Sequence, residues 1–238
     1  MCVDRSLYPP VVLPFFFLLL ISGFLFFVIF ASAVNSVFVS LGLPSWIAYL
    51  FLLASFVGSF VNIPLRDVSV EEEEVKYEVN PFFGMLYPVR KIERMTRKTT
   101  IAINLGGAVI PIILSAYVLF QNVYGLPAFL LATLFTVSVC HAFARIVPGV
   151  GIVMPNFIPP ISACILAIFS TLLFNCFELA PFVAYFSGVI GTLVGADIMN
   201  LKKVSRIHAK MLSIGGAGTF DGIFITGIFS VILTAIFV

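Results

Sequence analysis

The chain has 238 residues, 61% of them hydrophobic and 10% charged, with a formal net charge of +2. So apolar a composition excludes a soluble globular domain, and so small a net charge gives no footing for a nucleic-acid partner. The four cysteines (Cys2, Cys140, Cys164 and Cys176) are scattered, with no C-x-x-C pair and no histidine at metal-ligand spacing, so neither a disulfide framework nor a metal or cofactor site is expected.

In chain order, uninterrupted apolar blocks occupy residues 15–39, 46–63, 100–120, 126–147, 161–177, 181–201 and 214–238. Each is about long enough to cross a hydrocarbon core of roughly 30 Å as a helix at about 1.5 Å per residue. The blocks are apolar on every face, whereas barrel strands would alternate, so helices that satisfy their own backbone are expected. The sequence therefore predicts an all-α membrane protein of seven transmembrane helices forming one domain over residues 1–238. The first block also carries Ala31-Ser32-Ala33, which has the small-x-small form of a signal-peptide cleavage site. Cleavage there would leave six spans.

Seven antiparallel spans place the amino terminus and the loops after spans two, four and six on one side. All thirteen Lys and Arg fall there: Arg5, Arg66, Lys76, Arg90, Lys91, Arg94, Arg97, Lys98, Arg145, Lys202, Lys203, Arg206 and Lys210. The positive-inside rule makes that side the cytoplasm, with the carboxyl terminus outside, and the lipid bilayer the first partner.

The one sizeable hydrophilic segment, residues 64–98, alternates like strands at Val68-Ser69-Val70 and at Val75 to Val79. Asn80-Pro81-Phe82-Phe83-Gly84 reads as the turn of a small cytoplasmic β-hairpin, and the Glu71 to Glu74 run as a solvated strand or turn. Residues 148–160 are uncharged but hold four prolines and two glycines, which exclude a regular helix. A re-entrant loop is expected there, its backbone satisfied by protein or by a water-filled cavity; a hydrophobic surface loop is the alternative.

Eight of the eleven acidic residues lie in the amino terminus and the first cytoplasmic loop, and Glu178 lies in a short external turn. Asp197 and Asp221 are the only acids within predicted spans, and an ionisable group there faces the bundle interior and pairs with something. They lie roughly 6 Å and 10 Å from the cytoplasmic ends of spans six and seven, close enough in depth to meet. Asn104, His141, Arg145, Asn200 and Thr219, with the glycine breaks at Gly216 and Gly218, complete a polar layer. Purely architectural bonding of the two acids to Arg145, His141 and the amides of Gly215 to Gly218 is the alternative. The glycines carry no G-x-x-x-x-G-K-[ST] spacing and no strand is expected before them, which argues against a phosphate loop.

The stretch Gly191-Thr192-Leu193-Val194-Gly195-Ala196-Asp197-Ile198-Met199-Asn200-Leu201, followed by Ser213 to Phe224, resembles the signature of the domain of unknown function 1614 family. Val147 to Ile152 and Asn104 to Ala108 are similar to its other recurrent pieces. The resemblance implies a prokaryotic multi-span membrane protein and brings no activity with it. A looser similarity is to intramembrane aspartyl proteases, with one aspartate on each of two neighbouring spans. Here the second motif, Gly216-Ala217-Gly218-Thr219-Phe220-Asp221, has two extra residues before the acid, a rotation of about 200° on a helix. Three functions stay open at this point. One is a hydrolase with Asp197 and Asp221 catalytic, acting on a membrane substrate. Another is an ion- or proton-coupled transporter of a solute, and the last a non-catalytic scaffold whose hairpin docks a protein partner.

Overall fold

The computed structural model describes residues 12–82, 85–147, 151–201, 211–216 and 222–238. The chain forms two compact units, Met1–Leu52 and Leu53–Val238. The first contains α1 (Val12–Ser40), 29 residues without a charge, and the opening of α2 (Ser45–Gly58). Only 6% of the most apolar window of α1 is buried, and Phe15, Phe24 and Phe26 are among its many exposed side chains. An apolar helix this exposed is stable in lipid and not in water.

The second unit interleaves helices and strands. After α2 come β1 (Asn62–Phe82) and β2 (Met85–Asn104), then a π-helical turn (Leu105–Val109) that leads into α3 (Ile110–Gln121). α4 (Leu126–Phe143), β3 (Arg145–Val147), β4 (Gly151–Val153) and α5 (Ile158–Leu173) follow. α6 (Ala180–Thr192) continues through a second π-helical turn (Leu193–Asp197), and β5 (Met211–Ile214) and α7 (Gly222–Thr234) complete the unit. Proline at the first or second position opens α5, where its missing N–H costs nothing, and stands at the same place in α3, α4 and α6, each of which follows directly on a π or 3-10 turn. Hydroxyls inside the helices bond back to their own carbonyls, as Thr136 does to Ala132 and Thr171 to Ala167, which keeps them satisfied in an apolar surround.

α6 is the axis of the bundle, with 72% of its apolar window buried against 33% for the window of α4. Its glycines set the spacing. A Cβ on Gly191 would lie 2.5 Å from Thr136 Cγ2, and one on Gly195 would overlap the Val137 carbonyl oxygen, so α4 packs backbone to backbone against α6. On the α7 face, Gly227 approaches Val189 and Tyr185, and the Ser230 hydroxyl lies 3.0 Å from the Ala184 carbonyl oxygen.

Among the described residues, three helical stretches are long and apolar enough to cross a membrane: Pro14–Ser40, Val123–Phe143 and Phe177–Leu201. These long apolar helices mark a membrane protein. The other four among the described residues (Ser45–Gly58, Leu105–Gln121, Ile158–Leu173 and Gly222–Thr234) are shorter, and strands claim the ends of several predicted blocks. The predicted span over 46–63 stops at Gly58, and Asn62 and Ile63 open β1. The span over 100–120 begins as strand through Asn104. The span over 126–147 ends as helix at Phe143, with Arg145–Val147 as strand, and β5 runs from Met211 into Ile214, the first residue of the span predicted over 214–238. In each case a short apolar run pairs with another strand and so gains hydrogen bonds that the helix end would leave open.

The hairpin is present and larger than expected. β1 and β2 pair antiparallel from Asn62↔Asn104 to Phe82↔Met85, with an irregularity between Pro64 and Arg66. At its base β2 pairs in parallel with β5 through Thr100↔Met211 to Ile103↔Ile214, making the order β1-β2-β5. β3 and β4 form a second, two-stranded sheet within the stretch read as a re-entrant loop and the helix end before it. Leu212 packs against Ile101, Ile146, Ile152 and Leu201, so a small apolar core joins both sheets to the end of the α6 helix. A strand does precede Gly215, contrary to the expectation for the glycine run. The absent phosphate-loop spacing remains the ground against such a loop.

Candidate polar site

Polar groups gather in two places in the second unit. The first is the junction of the hairpin with the π-helical turn at Leu105–Val109. Asn104, 1% exposed, accepts the Gly107 N–H through its side-chain oxygen at 2.8 Å. Its amide nitrogen donates to the Ser59 carbonyl at 2.7 Å and to Asn62 Oδ1 at 3.0 Å. Asn62 Oδ1 also accepts from the Ser213 hydroxyl at 2.5 Å, and the Ser55 hydroxyl donates to the Gly106 carbonyl at 2.6 Å. Four chain segments thus meet on one satisfied network. Gly215 seals it from β5, with φ of +70° and a Cβ position only 2.5 Å from Ala108 Cβ.

The second place is the π-helical turn that ends α6. A π turn widens the helix by one residue and leaves carbonyls in need of partners. The buried Asn200 amide supplies them, donating to the Ala196 carbonyl at 2.9 Å, with the Gly195 carbonyl at 3.4 Å. His141, in the last turn of α4, brings Nδ1 to 3.3 Å from the Gly195 carbonyl and 3.5 Å from the Asn200 amide nitrogen. These two residues brace the turn from behind.

On its other side the turn presents Asp197, half-buried, to an open-sided cavity of about 380 Å³. Residues 152–156 and Pro159 supply one wall, Thr192, Ala196 and Asp197 a second, and the start of α7 with Gly222, Ile223 and Thr226 a third. Its polar groups are Asp197, Asn156, Thr192 and Thr226, and Asp197 is the only ionisable one among the described lining residues. The start of α5 offers no anion cradle. Pro159 and Pro160 have no N–H, and the amides of Ile158 and Ile161 are bonded to the Pro155 and Phe157 carbonyls. The chemistry of the cavity is that of one carboxyl group, an amide and two hydroxyls facing apolar walls, a set that suits a cation or a proton.

The single polar layer predicted from the sequence is divided. His141, Asn200 and Asp197 share the π turn, whereas Asn104 belongs to the hairpin junction and Arg145 is exposed at the start of β3. Gly216 is half-buried beside Ser213. Asp221, Thr219, Gly218 and His208 lie outside the described residues, as do Pro148 to Val150. Sequence reasoning missed Ser55, Ser59, Asn62 and Ser213 at the junction and assigned no role to Asn156, Thr192 and Thr226 at the cavity.

A family model described as "Protein of unknown function (DUF1614)" matches residues 56–233. Among curated proteins, and among solved structures, nothing matches.

Proposed function

The chain belongs to the DUF1614 family of proteins of unknown function, and on that footing we propose that it is a membrane-embedded carrier of a small cationic solute or ion, coupled to protons through Asp197. The observation that carries this reading is the cavity, where one carboxyl group stands among hydroxyls and apolar walls at a break in the central helix. Interrupted helices with ionisable groups at the interruption are how carriers build solute sites inside a bilayer. No basic residue is among the described residues that line the cavity.

In this reading the bundle crosses the membrane seven times, with both sheets on the cytoplasmic side. Support comes from the basic residues: every described Lys and Arg lies on β1, β2 or β3, and none on a helix. The proposal is tested in proteoliposomes of the full chain containing a trapped pH dye. Alkali cations, small amines and amino acids are added outside in turn. At least one cationic solute is expected to drive proton movement, and Asp197→Asn to reduce that movement at least tenfold. Flux indifferent both to this substitution and to pH overturns the proposal.

A second reading, a diaspartyl hydrolase, is favoured by one observation: Gly222, which directly follows Asp221 in the chain, lines the same cavity. It requires that Asp197→Asn and Asp221→Asn each abolish cleavage of a membrane peptide, and retained cleavage in either variant sinks it. The carrier reading leads because one acid at this cavity suffices for it.

A further inference from the structure

The hairpin is far longer than its attachment to the bundle requires. β1 has 21 residues and β2 has 20, an extended ribbon of roughly 65 Å, yet β5 covers β2 only at Thr100–Ile103. Beyond that base, among the described residues, β1 and β2 each present an open edge. An isolated two-stranded ribbon is marginally stable, and long open edges invite another strand.

The two edges carry opposite charge. Between Val70 and Asn80, β1 holds five glutamates (Glu71, Glu72, Glu73, Glu74 and Glu78) against Lys76. Between Arg90 and Lys98, β2 holds five basic residues (Arg90, Lys91, Arg94, Arg97 and Lys98) against Glu93. The register within the chain does not use this well, because Glu74 stands opposite Glu93 and Lys76 opposite Lys91. Like charges directly opposite one another weaken a strand pair.

We propose that the occupant of these edges is a second copy of this chain: the acidic β1 edge of one copy pairs antiparallel with the basic β2 edge of its neighbour, in a register displaced by two residues. Hairpins rising from one membrane face all point the same way, so β1 of one copy and β2 of the next run antiparallel without any rearrangement. Displacing the neighbour by two residues toward the tip sets Glu71 opposite Lys98, Glu72 opposite Arg97, Lys76 opposite Glu93 and Glu78 opposite Lys91. Every charged pair in that register is of opposite sign. Without displacement the two like-charge oppositions recur, and displacement the other way sets Glu72 opposite Glu93. The same register aligns Pro81 with Pro88, so the two residues without an N–H coincide at the tip and end the ladder together.

Membrane anchoring accounts for the displacement. One hairpin repeat spans about 9.6 Å across the strands and two residues span about 6.6 Å along them. Copies held at one depth therefore acquire this stagger if their strands tilt by about 35°, the tilt at which sheets close. The two edges differ, so the contact is head-to-tail, and it closes as a ring when the rotation from copy to copy closes.

The test uses full chains with Cys2, Cys140, Cys164 and Cys176 replaced by alanine, co-expressed in pairs and oxidised mildly in the membrane. Glu72→Cys in one copy and Arg97→Cys in the other are expected to give the hybrid dimer as the main cross-linked product. Glu72→Cys with Glu93→Cys, the opposite displacement, is expected to give at least fivefold less. By mass in nanodiscs, Glu71→Lys with Glu72→Arg is expected to yield monomers, and adding Arg97→Glu with Lys98→Glu in the same chain to restore the assembly. A monomeric unmodified protein without hybrid cross-links overturns the proposal. So does assembly lost on reversing the basic edge alone and untouched by reversing the acidic edge, which would assign β2 to an anionic lipid surface.

Discussion

Gly106→Ala is expected to lower the thermal unfolding midpoint of the detergent-solubilised protein by roughly 10 °C, from a loss of about 3 kcal/mol or more. Gly106 sits in the first π-helical turn, where its backbone crosses α2 with no space between them. A Cβ there would overlap the Ser55 carbonyl oxygen and the Ser59 amide, and a Cβ on Gly58 would lie 2.9 Å from the Gly106 nitrogen. These neighbours are main-chain atoms of a helix, so no rotamer change relieves the clash. The Ser55 hydroxyl bond to the Gly106 carbonyl would part as the segments separated. Gly23→Ala is the control: nothing lies within 4 Å of that position, and a helical glycine replaced by alanine gains stability by roughly 1 kcal/mol. A Gly106→Ala midpoint within about 2 °C of the parent would mean that the α2 crossing is looser than described.

Asn104→Asp is expected to destabilise the protein by about 3 kcal/mol although it exchanges one NH2 group for an oxygen. The acceptor for the Gly107 N–H survives the exchange, but the donor to the Ser59 carbonyl and to Asn62 Oδ1 becomes an acceptor facing acceptors. A carboxylate would also be buried at a position 1% exposed, without a cation among the residues it contacts. Denaturant titration followed by helical circular dichroism checks the figure, and a loss under about 1 kcal/mol would mean that water reaches the junction.

Membrane class, family and the centre of the hairpin were legible in the residues because each rests on a local signal. The absence of charge across 29 residues of α1 and the alternation around Val75 to Val79 need only near neighbours, whereas Asn80 to Phe82, read as the opening of the turn, are the last residues of β1. What pairs over long distance was not legible. Ile101-Ala102-Ile103 reads as a helix end, and Leu212-Ser213 as the approach to a span that opens at Ile214, since a short apolar run fits a buried strand and a buried helix equally well. Only the parallel β2–β5 pairing, between segments 111 residues apart at Thr100 and Met211, decides between them.

The polar site was half legible for a related reason. Spacing along a span gives the depth of a residue and says nothing of its direction around the bundle. Asn104, His141 and Asn200 were therefore placed in one layer, while the structure puts Asn104 with Ser59 and Asn62, and His141 with Asn200 and Gly195. The π turn that aims Asp197 at its cavity was foreshadowed only by Gly195, whose missing side chain lets α4 close against it.

Thiol reactivity at Thr226, on the α7 wall of the cavity, tests the cation site most directly. Thr226→Cys in a background with the native cysteines replaced is exposed to a cationic and to an anionic methanethiosulfonate of similar size. The predicted result is faster modification by the cationic reagent, by at least tenfold after correction for their rates with a free thiol, and loss of that preference when Asp197→Asn is added. No reaction with either reagent, or a preference that Asp197→Asn leaves untouched, would contradict a water-reached cavity governed by the Asp197 carboxyl group.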